Sequence, residues 1–208
     1  MSISLSRIVA GTSAIAMFVA VPLEAQHRRS DPPQLRRERP SLALDVGGLF
    51  SSQSGDALGP VGDGSGFDIM ASVGSGMFSL GGGYQRQAHR HIDGGDAIVS
   101  GAFIEPRLAL PLAVGNFTPY VFGRGARLTR RASGTLEPTI NGTAIGGGLG
   151  TLFWLAPNVQ LNTSVLWQDL RFDRGSGLDS PVIHSGRAEG SQWGVRAGVT
   201  IGFDSWGR

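Results

Sequence analysis

The sequence contains no cysteine. This excludes disulfides, thiolate metal sites, cysteine nucleophiles and a lipidated N-terminal Cys, and it leaves the redox compartment unmarked. Lysine is absent too, so all 18 basic residues are Arg. Charged residues make up only 16% of the chain and the formal net charge is +2, a balance that gives no reason to expect a nucleic-acid partner. Long apolar runs are also scarce. The stretch from Ile8 to Val21 is shorter than the about 20 residues a spanning helix needs.

What is abundant is glycine, 33 of 208 residues, beside 40% apolar residues. Helices tolerate glycine poorly, so this composition argues against a helical protein. The first 25 residues, "MSISLSRIVAGTSAIAMFVAVPLEA", carry one charge at Arg7, then the apolar run, then Ala25 as a cleavage residue. That order is expected of a secretory signal peptide, with a retained anchor as the alternative. Residues 26–40, "QHRRSDPPQLRRERP", hold five Arg and three Pro around one apolar residue, Leu35. Such a segment cannot bury a core and is expected to be a basic periplasmic linker.

From residue 41 the apolar residues recur at every second position, the period of a half-buried strand. The stretch "GGGLGTLFWLAPNVQLNTSVLW" (146–167) is long enough to raise the question of a membrane helix, but its glycines and Pro157 answer it. Pro and Asn punctuate turns, and Pro cannot sit in a central strand, so Ala156–Asn158 is a turn between two strands. Folding there pairs Leu155 with Val159, Phe153 with Leu161, Thr151 with Thr163 and Leu149 with Val165 on an apolar face. Trp154 with Gln160, Leu152 with Asn162, Gly150 with Ser164 and Gly146 with Gln168 make the other face.

The same alternation predicts a strand over about 41–50, with Leu42, Leu44, Val46 and Phe50 opposed to Asp45. A second, over 66–74, opposes Phe67, Ile69, Ala71 and Val73 to Asp68 and Ser72. The third, over 77–86, opposes Phe78, Leu80 and Tyr84 to Ser79 and Gln85. In the fourth, over 97–110, Ile98, Ala102, Ile104 and Leu108 oppose Glu105 and Arg107. The fifth, over 118–130, carries Arg124 and Arg127 at opposite parity, which leaves its facing open. After the hairpin, whose second strand ends near Phe172, an eighth over 191–203 opposes Trp193, Val195, Ala197, Val199, Ile201 and Phe203 to Gln192, Arg196 and Thr200.

Short connections follow strands two, four and six, and longer polar ones follow strands one, three, five and seven. An even number of strands with this alternation is the layout of an outer-membrane barrel. The predicted fold class is therefore an all-β, eight-stranded antiparallel up-and-down transmembrane barrel over 41–208. A soluble ligand-binding barrel would put the apolar face inside and a charged face in water. Here the polar face is mostly Gly, Ser, Thr, Gln and Asn, which suits a crowded interior. Most predicted strands reach the about 9 to 11 residues a tilted membrane strand needs. Aromatic residues near strand ends, namely Phe50, Phe67, Tyr84, Tyr120, Phe153, Trp167, Phe172, Trp193 and Phe203, read as interfacial girdles.

The segments "FIEPRLALPL" (103–112), "FTPYVFGRGARL" (117–128), "GGGLGTLFWLAPNVQL" (146–161) and "WGVRAGVTIGF" (193–203) together resemble the small outer-membrane β-barrel family of OmpA and OmpX type. The resemblance covers about residues 41–203 and rests on alternation and topology. It implies a Gram-negative-type outer membrane, with outer-membrane lipid and the barrel-assembly machinery as partners. Family members usually end on an aromatic residue, whereas here Phe203 is followed by "DSWGR".

An eight-stranded barrel is just wide enough to be filled by side chains, so no open pore is expected. Interior charges must be paired, because an isolated buried charge is very costly. If the 111–117 connection is symmetric about Val114 and Gly115, Glu105 faces Arg124. We expect an ion pair there, joined to a structural lumen network with Asp45, Asp68, Arg107 and Arg196. Arg86, Arg90, Arg127, Arg130, Arg131, Arg171, Arg174 and Arg187 are expected to ring the loop-side rim, where lipopolysaccharide phosphates lie and Arg binds phosphate as a fork.

Other motifs lack their context. "GGGLGT" (146–151) has neither the Lys nor the helix of a phosphate loop. His89 and His91 with Asp93 and Asp96 read as solvated loop residues without a fixed third metal ligand. His184 and Ser185, near Asp179 and Glu189, are sequence neighbours and not a catalytic geometry, and no GxSxG turn supports them. Asn141 and Asn162 match a glycosylation triplet that carries little weight in a chain expected to be bacterial. No cofactor and no metal are expected. The role read from the sequence is structural or adhesive, through four loops and without enzyme activity. A narrow small-solute channel and a lipid-modifying enzyme are the alternatives.

Overall fold

A computed structural model describes residues 41–54, 61–91, 96–111, 116–132, 139–156, 158–173 and 187–203. The expected signal peptide, the linker and the "DSWGR" tail lie outside the described residues. Eight strands follow one another: β1 (Ser41–Ser54), β2 (Val61–Ser75), β3 (Phe78–His91), β4 (Asp96–Ala109), β5 (Phe117–Ala132), β6 (Ile140–Ala156), β7 (Val159–Asp173) and β8 (Arg187–Phe203). Each pairs antiparallel with its sequence neighbours, and β8 closes onto β1.

The closure is staggered. Cross-strand partners traced from Leu44 through Ala71, Gly82, Ile104, Gly125, Ile145, Asp169 and Ser191 return to β1 at Ser54, ten residues further along. For eight strands this stagger tilts each strand by roughly 40° from the barrel axis and leaves an interior that side chains can fill.

The apolar face points outward. Leu42, Val46, Ile69, Val73, Ile104, Ile145, Leu149, Val165 and Val199 are exposed on the exterior, while Asp45, Asp68, Glu105, Arg124, Gln168 and Arg196 are buried inside. A soluble barrel has the reverse arrangement. Two aromatic belts bound the apolar band. Phe78, Phe117 and Phe203 are exposed near the end that carries the turns, and Phe50, Phe67, Tyr84, Trp167 and Trp193 nearer the loop end. Phe153 joins the turn-end belt through a ring contact with Phe117, centroids 4.7 Å apart. Tyr120 and Phe172 do not belong to either belt. Both rings lie inside the barrel, 2% and 1% exposed, because their positions share the parity of the inward rows.

Other expectations are also corrected. β1 runs to Ser54, β2 begins at Val61, β3 extends to His91 and β8 begins at Arg187, so the strands continue past the predicted loop-side ends. Hydrogen bonding between backbones persists where the chain has left the apolar band, but the alternation that marks a strand stops there. The connection after β3 is consequently short, residues 92–95, and the longer 110–116 lies at the turn end. Leu155 does not face Val159. A bulge between Trp154 and Ala156 sets Ala156 opposite Val159, and Leu155 is exposed. On β5 the facing is settled: Arg124 is buried in the interior and Arg127 is exposed on the exterior.

The interior is less uniformly polar than its glycines and amides suggest. Val99, Leu128, Ala144, Leu170 and Phe172 form one apolar cluster toward the loop end, and Tyr120, Phe122 and Leu166 a second nearer the turns. Glycine makes room for them. A Cβ built on Gly64, Gly81, Gly142, Gly148 or Gly150 would run into the side chain of His89, Met70, Phe172, Phe122 or Tyr120, respectively. Large inward side chains thus lie flat across glycines of the neighbouring strand. One glycine has a conformational role instead: Gly76 in the turn between β2 and β3 has φ of 62°, which a residue with a Cβ adopts at a cost.

Gly150→Ala is expected to destabilise the folded barrel by about 1–3 kcal/mol through overpacking against Tyr120. Gly48→Ala, whose Cβ would meet nothing closer than 3.9 Å, is expected to have little effect. Urea unfolding of both variants from lipid bilayers tests this, and equal midpoints would refute the packing role assigned to the glycines.

Candidate functional site

Inward parity on five strands brings charges to the barrel axis that could not be buried singly. β1 supplies Asp45, β2 Asp68, β4 Glu105 and Arg107, β5 Arg124 and β8 Arg196, all buried. Three guanidinium groups face three carboxylates, so the cluster is formally neutral. Glu105 lies at its centre. Ile104 opposite Gly125 and Arg107 opposite Phe122 set the register that puts Glu105 across from Arg124.

Arg124 donates from Nε to Glu105 Oε2 at 2.7 Å, and its Nη2 is in short contact with the same oxygen. Its Nη1 reaches Gln85 Oε1 at 3.0 Å and its Nη2 reaches Asp68 Oδ2 at 3.2 Å. Arg107 donates from Nε to Glu105 Oε1 at 2.7 Å and from Nη1 to Asp45 Oδ2 at 3.4 Å. Arg196 bridges Asp68 and Glu105 as well, Nη1 to Asp68 Oδ2 at 3.1 Å and Nη2 to Glu105 Oε1 at 3.3 Å. Glu105 therefore binds all three arginines.

Neutral partners complete the cluster. Asp45 Oδ1 accepts from Asn162 Nδ2 at 2.7 Å and from the Thr200 hydroxyl. Tyr120 donates to Asn162 Oδ1 at 2.7 Å and accepts from Arg196 Nη2 at 3.3 Å. Aromatic faces cover the guanidinium planes: Arg124 lies 4.0 Å from the Phe103 centroid and Arg107 5.1 Å from that of Tyr120. Such cation–π contacts replace part of the hydration an arginine loses on burial.

A second polar group sits on the loop side of the charges. Gln87 Oε1 accepts from Ser51 Oγ at 2.7 Å and from Gln192 Nε2 at 2.5 Å. Gln192 Oε1 accepts from Gln168 Nε2 at 2.7 Å. His89 belongs to this group, which corrects its reading as a loop residue. It lies in β3 with its ring buried, Nδ1 3.3 Å from the Gly62 carbonyl oxygen and Nε2 3.2 Å from Gln87 Oε1. The Gln87 contribution was missed, although Gln85, Gln87 and His89 at successive odd positions carry the inward parity.

The remaining candidates fall elsewhere. His91 ends β3 and Asp96 begins β4, and Asp93 lies outside the described residues. No three potential metal ligands converge among the described residues. His184, Ser185 and Asp179 lie outside the described residues as well, while Glu189 is an exposed residue of β8. "GGGLGT" is part of β6. Asn141 is exposed on β6, and Asn162 is the buried partner of Asp45.

The expected arginine ring is in fact uneven among the described residues. Arg86, Arg90, Arg127 and Arg131 are exposed on the outer face of β3 and β5. Arg130 is not on the rim surface: it shares the inward parity of Arg124 and Leu128 and is half-buried. Arg171 lies on β7, 4.0 Å from Glu189. Arg174 lies outside the described residues, and so does the side chain of Arg187.

No protein-family model and no curated protein sequence matches this chain. Among solved structures, Neisserial surface protein A (NspA) aligns with a TM-score of 0.61 at 15% identity, over 80% of this chain and 100% of that one. OprG of Pseudomonas aeruginosa aligns at 0.49 and 11% identity, over 81% and 98%. Ail, the attachment invasion locus protein of Yersinia pestis, in complex with the heparin analogue sucrose octasulfate, aligns at 0.45 and 13%, over 79% and 100%. The likeness to NspA is one of fold, and the chain has the architecture of a small eight-stranded outer-membrane barrel.

Removing one charge from the interior cluster leaves the others unbalanced. Glu105→Gln and Arg124→Gln are each expected to lower stability by about 3–5 kcal/mol, and the double variant by less than the sum. Urea unfolding of the three variants in bilayers measures the coupling. Strict additivity would show that the two groups do not act as a pair. Arg171→Gln, at an exposed ion pair, is expected to leave the midpoint unchanged.

Proposed function

We propose that this chain is an integral outer-membrane barrel with a structural and surface-interaction role, and that it is neither an open channel nor an enzyme. The observation that carries the reading is the occluded axis. A water-filled pore leaves its lining accessible, whereas Gln85, Glu105, Leu128, Gln168 and Leu170, contributed by four strands, are each 0% exposed. The ion pairs of Glu105 and its arginine partners tie opposite walls together, so the interior acts as a strut.

The apolar exterior between two aromatic belts supports residence in a bilayer. In this reading residues 1–25 direct export, 26–40 form a periplasmic linker, and the assembly machinery inserts the barrel with its turn end toward the periplasm. The loop-end connections are then displayed at the cell surface, where adhesion is the interactive role available to them. A narrow small-solute path would need the interior cluster to rearrange. A lipid-modifying activity would need a catalytic set that the described residues do not bring together.

Two measurements test the proposal. The folded protein is expected in the outer-membrane fraction, migrating faster on a denaturing gel before boiling than after. In planar bilayers it is expected to produce no discrete conductance steps. Reproducible steps that change on Glu105→Gln would establish the channel alternative instead.

A further inference from the structure

The exterior at the loop end is asymmetric. The aromatic belt runs over β7, β8, β1, β2 and β3, through Trp167, Trp193, Phe50, Phe67 and Tyr84. On β4 and β5 the row that contains Tyr84 continues with Ala102 and then Arg127. The belt is thus replaced by arginine at the level where a bilayer gives way to head groups.

Three arginines cluster there, and two of them, Arg86 and Arg131, line one groove with two hydroxyls in its floor. Arg86 on β3 lies opposite Ser100 on β4, which lies opposite Thr129 on β5. Arg127 and Arg131 flank Thr129 on the same face of β5. The two hydroxyls are 3.3 Å apart, and Thr129 Oγ1 also donates to the Ser100 carbonyl oxygen at 3.1 Å. With the Thr129 hydrogen so engaged, the Ser100 hydroxyl is the donor in the 3.3 Å contact, and the two hydroxyls form a neutral polar floor between the arginines. The groove encloses about 280 Å³ and includes Arg86, Ser100, Thr129 and Arg131 in its lining. None of Arg86, Arg127 and Arg131 has an ion-pair partner among the described residues. By contrast Arg90 faces Asp96 across the strand pair.

Beneath Arg127, toward the membrane centre, the wall is thinned. Gly125 and Gly123 follow it on the same outward row of β5, and a Cβ at either would meet nothing closer than 3.8 Å. A shallow trough therefore runs from the arginine cluster into the apolar band.

We propose that this flank of β3–β5 binds one phosphorylated glycolipid of the outer leaflet, of lipid A type, phosphates at Arg86, Arg127 and Arg131 and an acyl chain along Gly125 and Gly123. The inference rests on the outer-membrane reading above. Phosphate monoesters each carry close to two negative charges, and guanidinium matches their oxygens in a two-pronged geometry. Three arginines on one flank, without ion-pair partners among the described residues, suit a head group with two phosphates better than a phospholipid with a single diester. The trough accounts for the glycines as space for a chain.

The test uses the full barrel in nanodiscs with native mass spectrometry and titration of bisphosphorylated lipid A, its dephosphorylated form, and phosphatidylglycerol. One bisphosphorylated lipid A is expected to be retained per barrel. Retention should fall at least tenfold in Arg86→Gln/Arg127→Gln/Arg131→Gln and with the dephosphorylated lipid, but not in Arg171→Gln. Gly123→Leu is expected to weaken binding by filling the trough without altering charge. The unboiled band shift of each variant shows that it is folded. Equal retention by the triple variant, or equal binding of phosphatidylglycerol, overturns the proposal while the outer-membrane reading stands. Recovery of the protein from the soluble fraction overturns that reading first.

Discussion

Closing eight strands with a ten-residue stagger sets the width of the interior, and most of the composition answers to that width. The space is too narrow for two large side chains at one level and too dry for a lone charge. Glycine across from Tyr120, Phe122, Met70, His89 and Phe172 meets the first condition. Neutral clustering of Asp45, Asp68 and Glu105 with Arg107, Arg124 and Arg196 meets the second. The two conditions are linked, because Phe103 and Tyr120, held flat against the wall, supply the faces on which guanidinium planes rest.

Polar interiors of this kind hold walls together in a way that apolar packing alone does not. Each of the three arginines connects strands that are not neighbours in the sheet: Arg124 on β5 reaches Asp68 on β2, and Arg107 on β4 reaches Asp45 on β1. Hydrogen bonds to ionised partners are directional, so these links restrain the cross-section as well as add attraction. The apolar clusters on either side fill space without such direction. Outside, the solvent is lipid and the logic reverses, since apolar side chains there need no partner and the exceptions carry the information. The arginines of β3 and β5, standing where the aromatic belt is missing, are the largest such exception among the described residues.

Much of the barrel was legible in the chain because strand parity is strictly two-fold. Once Asp45, Asp68, Glu105, Gln192 and Arg196 were set against their apolar neighbours, the two faces followed, and a turn at Pro157 fixed the partners of Phe153 and Leu149. The expected symmetry of a 111–117 connection about Val114 and Gly115 likewise put Glu105 against Arg124. Parity was less informative where both faces carry similar residues. Tyr120 and Phe172 read as belt aromatics because an aromatic near a strand end has the same signature on either face. The extension of β3 to His91 was hidden because Gln87 and His89 inside alternate with Arg86 and Arg90 outside, so burial alternates there without a contrast between apolar and polar residues.

The sequence by itself determined the strand number, the alternation of faces, the short and long connections in part, and which residues point the same way along each strand. Apart from Glu105 with Arg124, only the tertiary structure decided which charges meet and which arginines share a flank. Alternation acts along one strand, whereas Arg124 with Asp68, or Arg86 with Arg131, are neighbours across strands. Their meeting depends on the stagger at which the sheet closes, a property of all eight registers together and of no single segment.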